Sequence, residues 1–292
     1  MISEQNFKRL LTVIPHNQTY HSPIKGLVIH HSEQPYSYES ILQEPSICIV
    51  INGEREVQLG DQYFVFDPQH FMFCPVDIPM CGKIVKATPD DPFVVLSMKI
   101  DLQAVNKILL EQSLHFIDTT TNAMTFNQWR LDGELKNAFT RLLLLHENPN
   151  DIAFLAPLIQ QEIYYRLLKG EQGNKLKQMV SFNSNTQKIA KATQYLQTHF
   201  RETVRMETLA ELCAMSLSGF HHHFKTITTL SPLQYQKSLR LMEAKRLIYQ
   251  EKSAIAEAAF QVGYESPSQF SREYKRYFGV APSVMSLLNT KE

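Results

Sequence analysis

Three consecutive histidines, His221, His222 and His223, stand between two phenylalanines in the run SGFHHHFKT, residues 218–226. Imidazole can ligate a metal, pass a proton near neutral pH, or exchange hydrogen bonds with a base edge or a phosphate. Spacing decides among these. On a helix successive residues turn by about 100°, so three sequence neighbours fan around the axis and cannot close on one ion; helical chelation uses i, i+4 pairs. Phe220 and Phe224, four apart, mark the buried stripe, which sets His222 opposite it and His221 and His223 on its flanks. No metal site is read there.

The outward arc of that helix holds Ser218, His222, Lys225 and Thr226. A second segment, SPSQFSREYKRYFG, places Ser268, Gln269, Arg272, Lys275 and Arg276 opposite its own aromatic pair, Phe270 and Tyr274. The two belong to a repeat: LAELCAMSLSGFHHHFKTITTLSP (209–232) and IAEAAFQVGYESPSQFSREYKRYFGVAP (255–282). Each copy runs from a Leu/Ile-Ala start through a turn to an aromatic pair, a lysine, and a proline eight residues past the second aromatic. A short helix, a tight turn and a second helix with one apolar stripe is the plan of a helix-turn-helix, whose second helix enters the DNA major groove.

The reading helices are expected at about 217–228 and 267–278. Ser266-Pro267 with Gln269, and Ser231-Pro232 with Gln234, supply an N-cap oxygen, a proline at the first helical position and a capping-box glutamine. The helix between the copies, from Pro232 to Gln250, would span roughly 28 Å at about 1.5 Å per residue, near the ~34 Å turn of B-DNA. Arginine pairs with guanine O6/N7 and glutamine with adenine N6/N7, so Ser218, His221, His222, Ser268, Gln269 and Arg272 are candidate base readers. Lys225, Thr226, Lys275 and Arg276 are candidate phosphate contacts, which position without specifying. One such helix alone would read as an ordinary solvated face; two copies in one basic region point to DNA.

The net charge is zero over 292 residues, yet it is unevenly placed. From Thr186 onward there are 14 Lys and Arg against 9 Asp and Glu, which leaves 15 against 20 before it, so a polyanion suits one end only. No apolar run approaches the roughly 18 residues of a membrane span and the first residues lack a signal-peptide apolar region, so a cytoplasmic location is expected. Four cysteines, Cys48, Cys74, Cys81 and Cys213, are too few and too widely spaced for a disulfide or zinc framework. Cys74 and Cys81 flank a proline-containing turn, and their thiols are candidates for effector sensing, against the plainer reading of two small buried hydrophobes.

Residues 10–100 carry short β-rich runs, with Asn52-Gly53 as a hairpin signal and Gly60-Asp61 and Asp67-Pro68 as further turns; they read as a small antiparallel barrel. Tyr63, Phe64, Phe66, Phe71 and Phe73 are candidate pocket-lining aromatics. Past Asp101 the period becomes helical. Leu135, Phe139, Leu142, Leu143 and His146 share one stripe, and a second helix ends at Gly170. The polar stretch after it gives a division into 1–172, a linker at 173–186, and 187–292.

The segments GFHHHFKTITTLSPLQYQKSLRLMEAKRLI and AAFQVGYESPSQFSREYKRYFGVAPS resemble the AraC/XylS-type transcription regulators over roughly the last 100 residues. The resemblance implies a C-terminal all-α domain of two helix-turn-helix units joined by a long helix. It further implies sequence-specific promoter binding, usually with activation through RNA polymerase. Relatives commonly carry arginine where His222 stands and glycine where Thr229 stands. The stretch YFVFDPQHFMFCPVDIPMCGKIVKATPDDPFVVLSMKID resembles the sensor domain of one branch of that family. This implies a cupin-like β-barrel followed by helices, hence an α+β chain whose N-terminal half binds a small-molecule effector, dimerises, or both. A cupin metal enzyme is the rival reading, drawn from His16, His21, His30, His31 and His70. The usual His-x-His spacing is absent, and His30 and His31 must face opposite sides of a strand. No cofactor or metal is expected.

Overall fold

The computed structural model describes residues 4–36, 39–112, 128–181 and 183–284. The N-terminal part opens with helix α1 (Glu4–Val13) and continues through strands β1 (Thr19–His21), β2 (Leu27–Ser32), β3 (Glu39–Gln43), β4 (Ser46–Asn52), β5 (Glu54–Leu59), β6 (Gln62–Phe66), β7 (His70–Cys74), β8 (Ile78–Lys86) and β9 (Phe93–Lys99). Helix α2 (Leu102–Gln112), strand β10 (Gln128–Arg130) and helices α3 (Gly133–Leu144), α4 (Pro149–Lys169) and α5 (Gly173–Val180) complete it. The strands form two antiparallel sheets, ordered β1-β2-β9-β4-β7-β10 and β3-β8-β5-β6. The expected barrel is thus a sandwich of two facing sheets rather than one closed cylinder.

The near-continuous apolar run of β4 follows from its position, covered on both faces. Ile47, Ile49 and Ile51 join Phe71, Phe73, Leu135 and Phe139 in the core beneath the helices, while Cys48 and Val50 face the opposite sheet. Asn52-Gly53 does not make a hairpin. Its flanking strands lie in different sheets, and Gly53, at φ +83°, turns the chain from one sheet to the other. Gly60-Asp61 does join a paired hairpin, β5 to β6, with Leu59 opposite Gln62.

Helices α3, α4 and α5 cover the outer face of the six-stranded sheet. Asp132 caps α3 by accepting a 2.7 Å bond from the Leu135 amide, and Leu135, Phe139, Leu142 and Leu143 form the expected buried stripe. Part of the stretch read as a linker is helical: α5 occupies 173–180, with Leu176 and Met179 buried in this core. Its polar residues made it look like a connector, but its apolar pair is spaced for one turn of helix.

The remaining helices are α6 (Asn185–His199), α7 (Met206–Leu212), α8 (Leu217–Thr228), α9 (Pro232–Tyr249), α10 (Ile255–Gln261) and α11 (Pro267–Phe278). Phe220, Phe224 and Tyr235 pack the first helix-turn-helix; Tyr264, Phe270, Tyr274 and Phe278 pack the second. Arg240 of α9 ties them, donating to the carbonyl oxygens of Phe200 (2.6 Å) and Gly263 (2.8 Å). Gly263 sits at φ +91° in the turn of the second unit, where a β-carbon would fall 2.1 Å from the Arg201 carbonyl oxygen. Helix α9 also packs on β8. The Tyr235 hydroxyl donates to the Asp77 carbonyl oxygen at 2.9 Å, and Cys81 is buried beside Leu241 and Phe278. No helix among the described residues is long and apolar enough to cross a membrane.

Candidate nucleic-acid interface and ligand cavity

Helices α8 and α11 are built alike. Ser216 and Ser266 cap them by accepting from the amides of Gly219 (3.2 Å) and Gln269 (3.3 Å), and each helix has 12 residues. Each ends in a left-handed residue: Thr229 at φ 70° and Gly279 at φ 75°. The threonine therefore takes the conformation that suits glycine, and its Oγ1 is buried without a hydrogen-bond partner. At α9 the capping box is complete, with Gln234 accepting from the Ser231 amide at 2.9 Å. At α11 it is not, because Gln269 turns along the helix and donates to Glu273 at 3.2 Å.

Phe220, Phe224, Phe270 and Tyr274 are fully buried, which turns the opposite faces outward. Ser218, His221, His222, Lys225, Ser268, Gln269, Arg272, Lys275 and Arg276 are exposed; Thr226 and His223 are half-buried. The His223 ring lies 3.3 Å from the Asn185 amide nitrogen, and partial burial holds its pKa below the usual histidine value. The three histidines are not among the grouped metal-type ligands of the described residues.

Charge pairing distinguishes the two faces from their surroundings. Lys237 of α9 is bound to Glu273 (2.9 Å), Arg246 to Glu243 and Glu251 (both 2.8 Å), and Arg201 to Glu243 (2.9 Å). Lys225, Arg272, Lys275 and Arg276 have no ion pair with a described residue. Cations left unpaired on two matching helices keep their full charge for an external anion.

A second feature lies between the sheets, a cavity of about 440 Å³. Its walls include Val28, Ile41, Val50, Val57, Phe66 and Met80, and one end carries His30, Tyr36, Glu39 and Arg55. The Tyr36 hydroxyl donates to Glu39 Oε2 (2.7 Å) and meets His30 Nε2 (3.2 Å), whose other nitrogen faces the Thr19 hydroxyl (3.1 Å). This chain fixes the neutral His30 tautomer with its proton on Nε2. Burial lowers the His30 pKa and raises that of Tyr36. Of the aromatics singled out from the sequence, only Phe66 lines the cavity. Phe71 and Phe73 face the helical core against Trp129, and Tyr63 is exposed.

Cys74 and Cys81 do not line the cavity either. Both are fully buried, and burial pushes the Cys81 thiol up to about 12 and Cys74 well above its usual value, which works against thiolate chemistry. His30 and His31 do face opposite sides. His31 groups with His16 and Glu33, their ligand atoms within 4.8 Å of one another. The Asn17 amide donates to His31 Nδ1 at 3.0 Å, which leaves the ring proton on Nε2 and no lone pair there for an ion.

Arg55, Gly82, Tyr36 and Glu39 escaped the sequence reading. Each lies on a different strand or connection, and only the strand register brings them together.

Residues 23–175 match the family model described as AraC-type transcriptional regulator N-terminus, and residues 209–286 match a helix-turn-helix domain model. Among curated proteins, the chain is 28% identical over 158 residues to the HTH-type transcriptional activator RhaS of Escherichia fergusonii, covering 53% of this chain and 56% of that one. RhaS of Salmonella schwarzengrund is 27% identical over 157 residues, again over 56% of its length. The chain therefore matches little more than half the length of these relatives. Among solved structures, unsaturated fatty acid bound ToxT from Vibrio cholerae shares the fold at a TM-score of 0.52 and 12% identity, over 94% of this chain and 99% of that one.

Proposed function

The chain belongs to the AraC-type transcriptional regulators, and on that premise we propose that it is a sequence-specific DNA-binding regulator, read through α8 and α11 and controlled by a small molecule in the sandwich cavity. One observation carries the reading. Two helices of equal length, each with a serine cap and a left-handed end, both pack on α9 and turn outward basic side chains that have no ion pair with a described residue. His222 and Arg272 are the principal base readers, with Ser218, His221, Ser268 and Gln269 beside them. Lys225, Thr226, Lys275 and Arg276 hold phosphates.

The proposed domain division is 1–172, 173–186 and 187–292, although α5 within the middle segment packs Leu176 and Met179 into the N-terminal core. RhaS is named as an activator, which supports activation here, with RNA polymerase as partner in the cytoplasm. A ligand in ToxT supports an effector for this cavity. Exposed Phe154 and Leu158 on α4 support a homodimer. The role is regulatory rather than enzymatic.

The test is recovery of sheared genomic DNA from the source organism at about 150 mM salt, beside the His222→Ala, Arg272→Ala double variant. A few recurrent fragments, lost with the variant, are expected. Random recovery by both proteins would overturn the reading.

A further inference from the structure

Resting on that effector reading, we infer that the cavity ligand is an organic monoacid, one carboxylate on an apolar body, with Arg55 as the carboxylate's partner. Arg55 reaches from β5 into the cavity wall. Its Nε and Nη2 are buried without a hydrogen-bond partner, and it forms no ion pair with a described carboxylate. Arginine cannot shed its proton to relieve this, and with Nε and Nη2 closed off it is the uncompensated charge, presented to the cavity by the rest of the guanidinium, that calls for an anion from outside the chain.

The neighbouring polar groups do not answer that call, because they satisfy one another. Glu39 accepts from Tyr36, Tyr36 meets His30, and His30 meets Thr19. Residue 82 on β8 is what gives the guanidinium its place. A β-carbon on Gly82 would stand 2.8 Å from Arg55 Nε and 3.1 Å from Nη2, although its backbone angles would suit any residue. Glycine at 82 thus leaves room both for the cation and for the Glu56 carbonyl oxygen of the neighbouring strand, which a β-carbon would meet at 3.0 Å.

The remaining walls set the rest of the ligand. Val28, Ile41, Val50, Val57 and Met80 offer contact to an apolar body, while Gln43, Ser46 and Ser97 add a smaller polar strip to the wall. One guanidinium balances one negative charge. Lys99 also lines the cavity but is paired with Glu44 at 3.0 Å, so a phosphate dianion would bring a surplus charge into the same cavity as Glu39, and a neutral ligand would leave Arg55 unmet. The volume of about 440 Å³ falls within the roughly 300–1,000 Å³ of small-molecule sites.

The experiment is calorimetric titration of the full chain with octanoate and 4-phenylbutanoate, each beside its primary amide, and with octyl phosphate. At least one acid is expected to bind tenfold or more tighter than its amide and than octyl phosphate. Arg55→Gln should abolish that preference and Gly82→Ala should weaken it, in proteins whose thermal unfolding matches the parent. The acid-to-amide comparison needs only the parent chain, so it decides the matter even where a variant misfolds. Acids and amides binding alike would leave the cavity as an effector site and overturn the carboxylate. Tighter binding of octyl phosphate would overturn it too. No binding by any compound would overturn both the carboxylate and the effector reading, while leaving the DNA recovery result as it stands.

Discussion

The Tyr235 hydroxyl on α9 donates a 2.9 Å hydrogen bond to the main-chain oxygen of Asp77, one residue before β8 begins. The tyrosine is wholly buried and its ring packs edge-on against Phe224 of the first reading helix, 5.5 Å between centroids. One side chain thus touches both the sandwich and helix α8. Tyr235→Phe keeps the ring and removes the bond, at a cost of about 1–2 kcal/mol. Trp129 is the single tryptophan and lies in the N-terminal core, so its fluorescence reports that half while far-UV circular dichroism reports mainly helices. In urea the two signals should coincide for the parent chain and separate in the variant. Coincidence in both would mean that the bond does not couple the halves.

Arg272 and Lys275 lie on the same exposed face of α11 and should fail differently. Arg272→Ala is expected to cost ~1–3 kcal/mol on the preferred site and to relax one base position, while Lys275→Ala weakens all sequences alike and lowers the salt slope by about one. Competition binding against a library with each position randomised separates the two. Equal losses on specific and random DNA for Arg272→Ala would remove its reading role.

Thr229 carries two burdens, a left-handed backbone and a buried hydroxyl without a partner. Thr229→Gly relieves both and gives back some chain entropy in the unfolded state, for a net gain of about 1 kcal/mol. A higher urea midpoint at unchanged slope is expected. A lower midpoint would mean that the methyl group packs more usefully than the backbone is strained.

His146 should make the fold acid-sensitive. Its Nδ1–H donates to the Leu143 carbonyl oxygen (2.7 Å), and its Nε2 accepts from the Ser22 hydroxyl (2.8 Å), so the neutral ring is fully bonded. Burial lowers its pKa, as it does for His31. A histidine with a lowered folded pKa binds fewer protons folded than unfolded. Its contribution is then whole above the unfolded value of about 6.5 and is lost as pH falls below it. The melting temperature should therefore drop below pH 6.5, and His146→Gln, which retains a donor and an acceptor, should flatten that drop. An unchanged slope in the variant would assign the acid response to other groups.

Helices α8 and α11 were legible because their information is local. Aromatics four apart, a serine cap, and a proline at a fixed distance mark α8 and α11 within one stretch of chain each. The sandwich was legible as strands but not as two sheets. Asn52-Gly53 carries the same turn chemistry whether the chain folds back on its neighbour or crosses to the other layer, and the crossing depends on residues far along the chain: a β-carbon at Gly53 would stand 3.0 Å from the ring of Phe93, forty residues on. The cavity was the least legible part. Arg55 and Gly82 come together only through the pairing of β5 with β8, and an arginine in an alternating strand reads as solvent-facing until that pairing is known.

Strand β8 has a property that its sequence, Ile78–Lys86, does not announce. Met80 lines the cavity and Gly82 lies against Arg55, which lines it too, whereas Cys81 between them sits in the core of the second helix-turn-helix unit. The two surfaces of one polypeptide strand, a single residue thick, separate the interior of the sandwich from the helix-turn-helix domain. Position in the chain therefore cannot sort substitutions at 80–82 into those that change what is held and those that change how the halves fit. Telling such substitutions apart requires measuring what the cavity holds and how the halves dock in the same molecule.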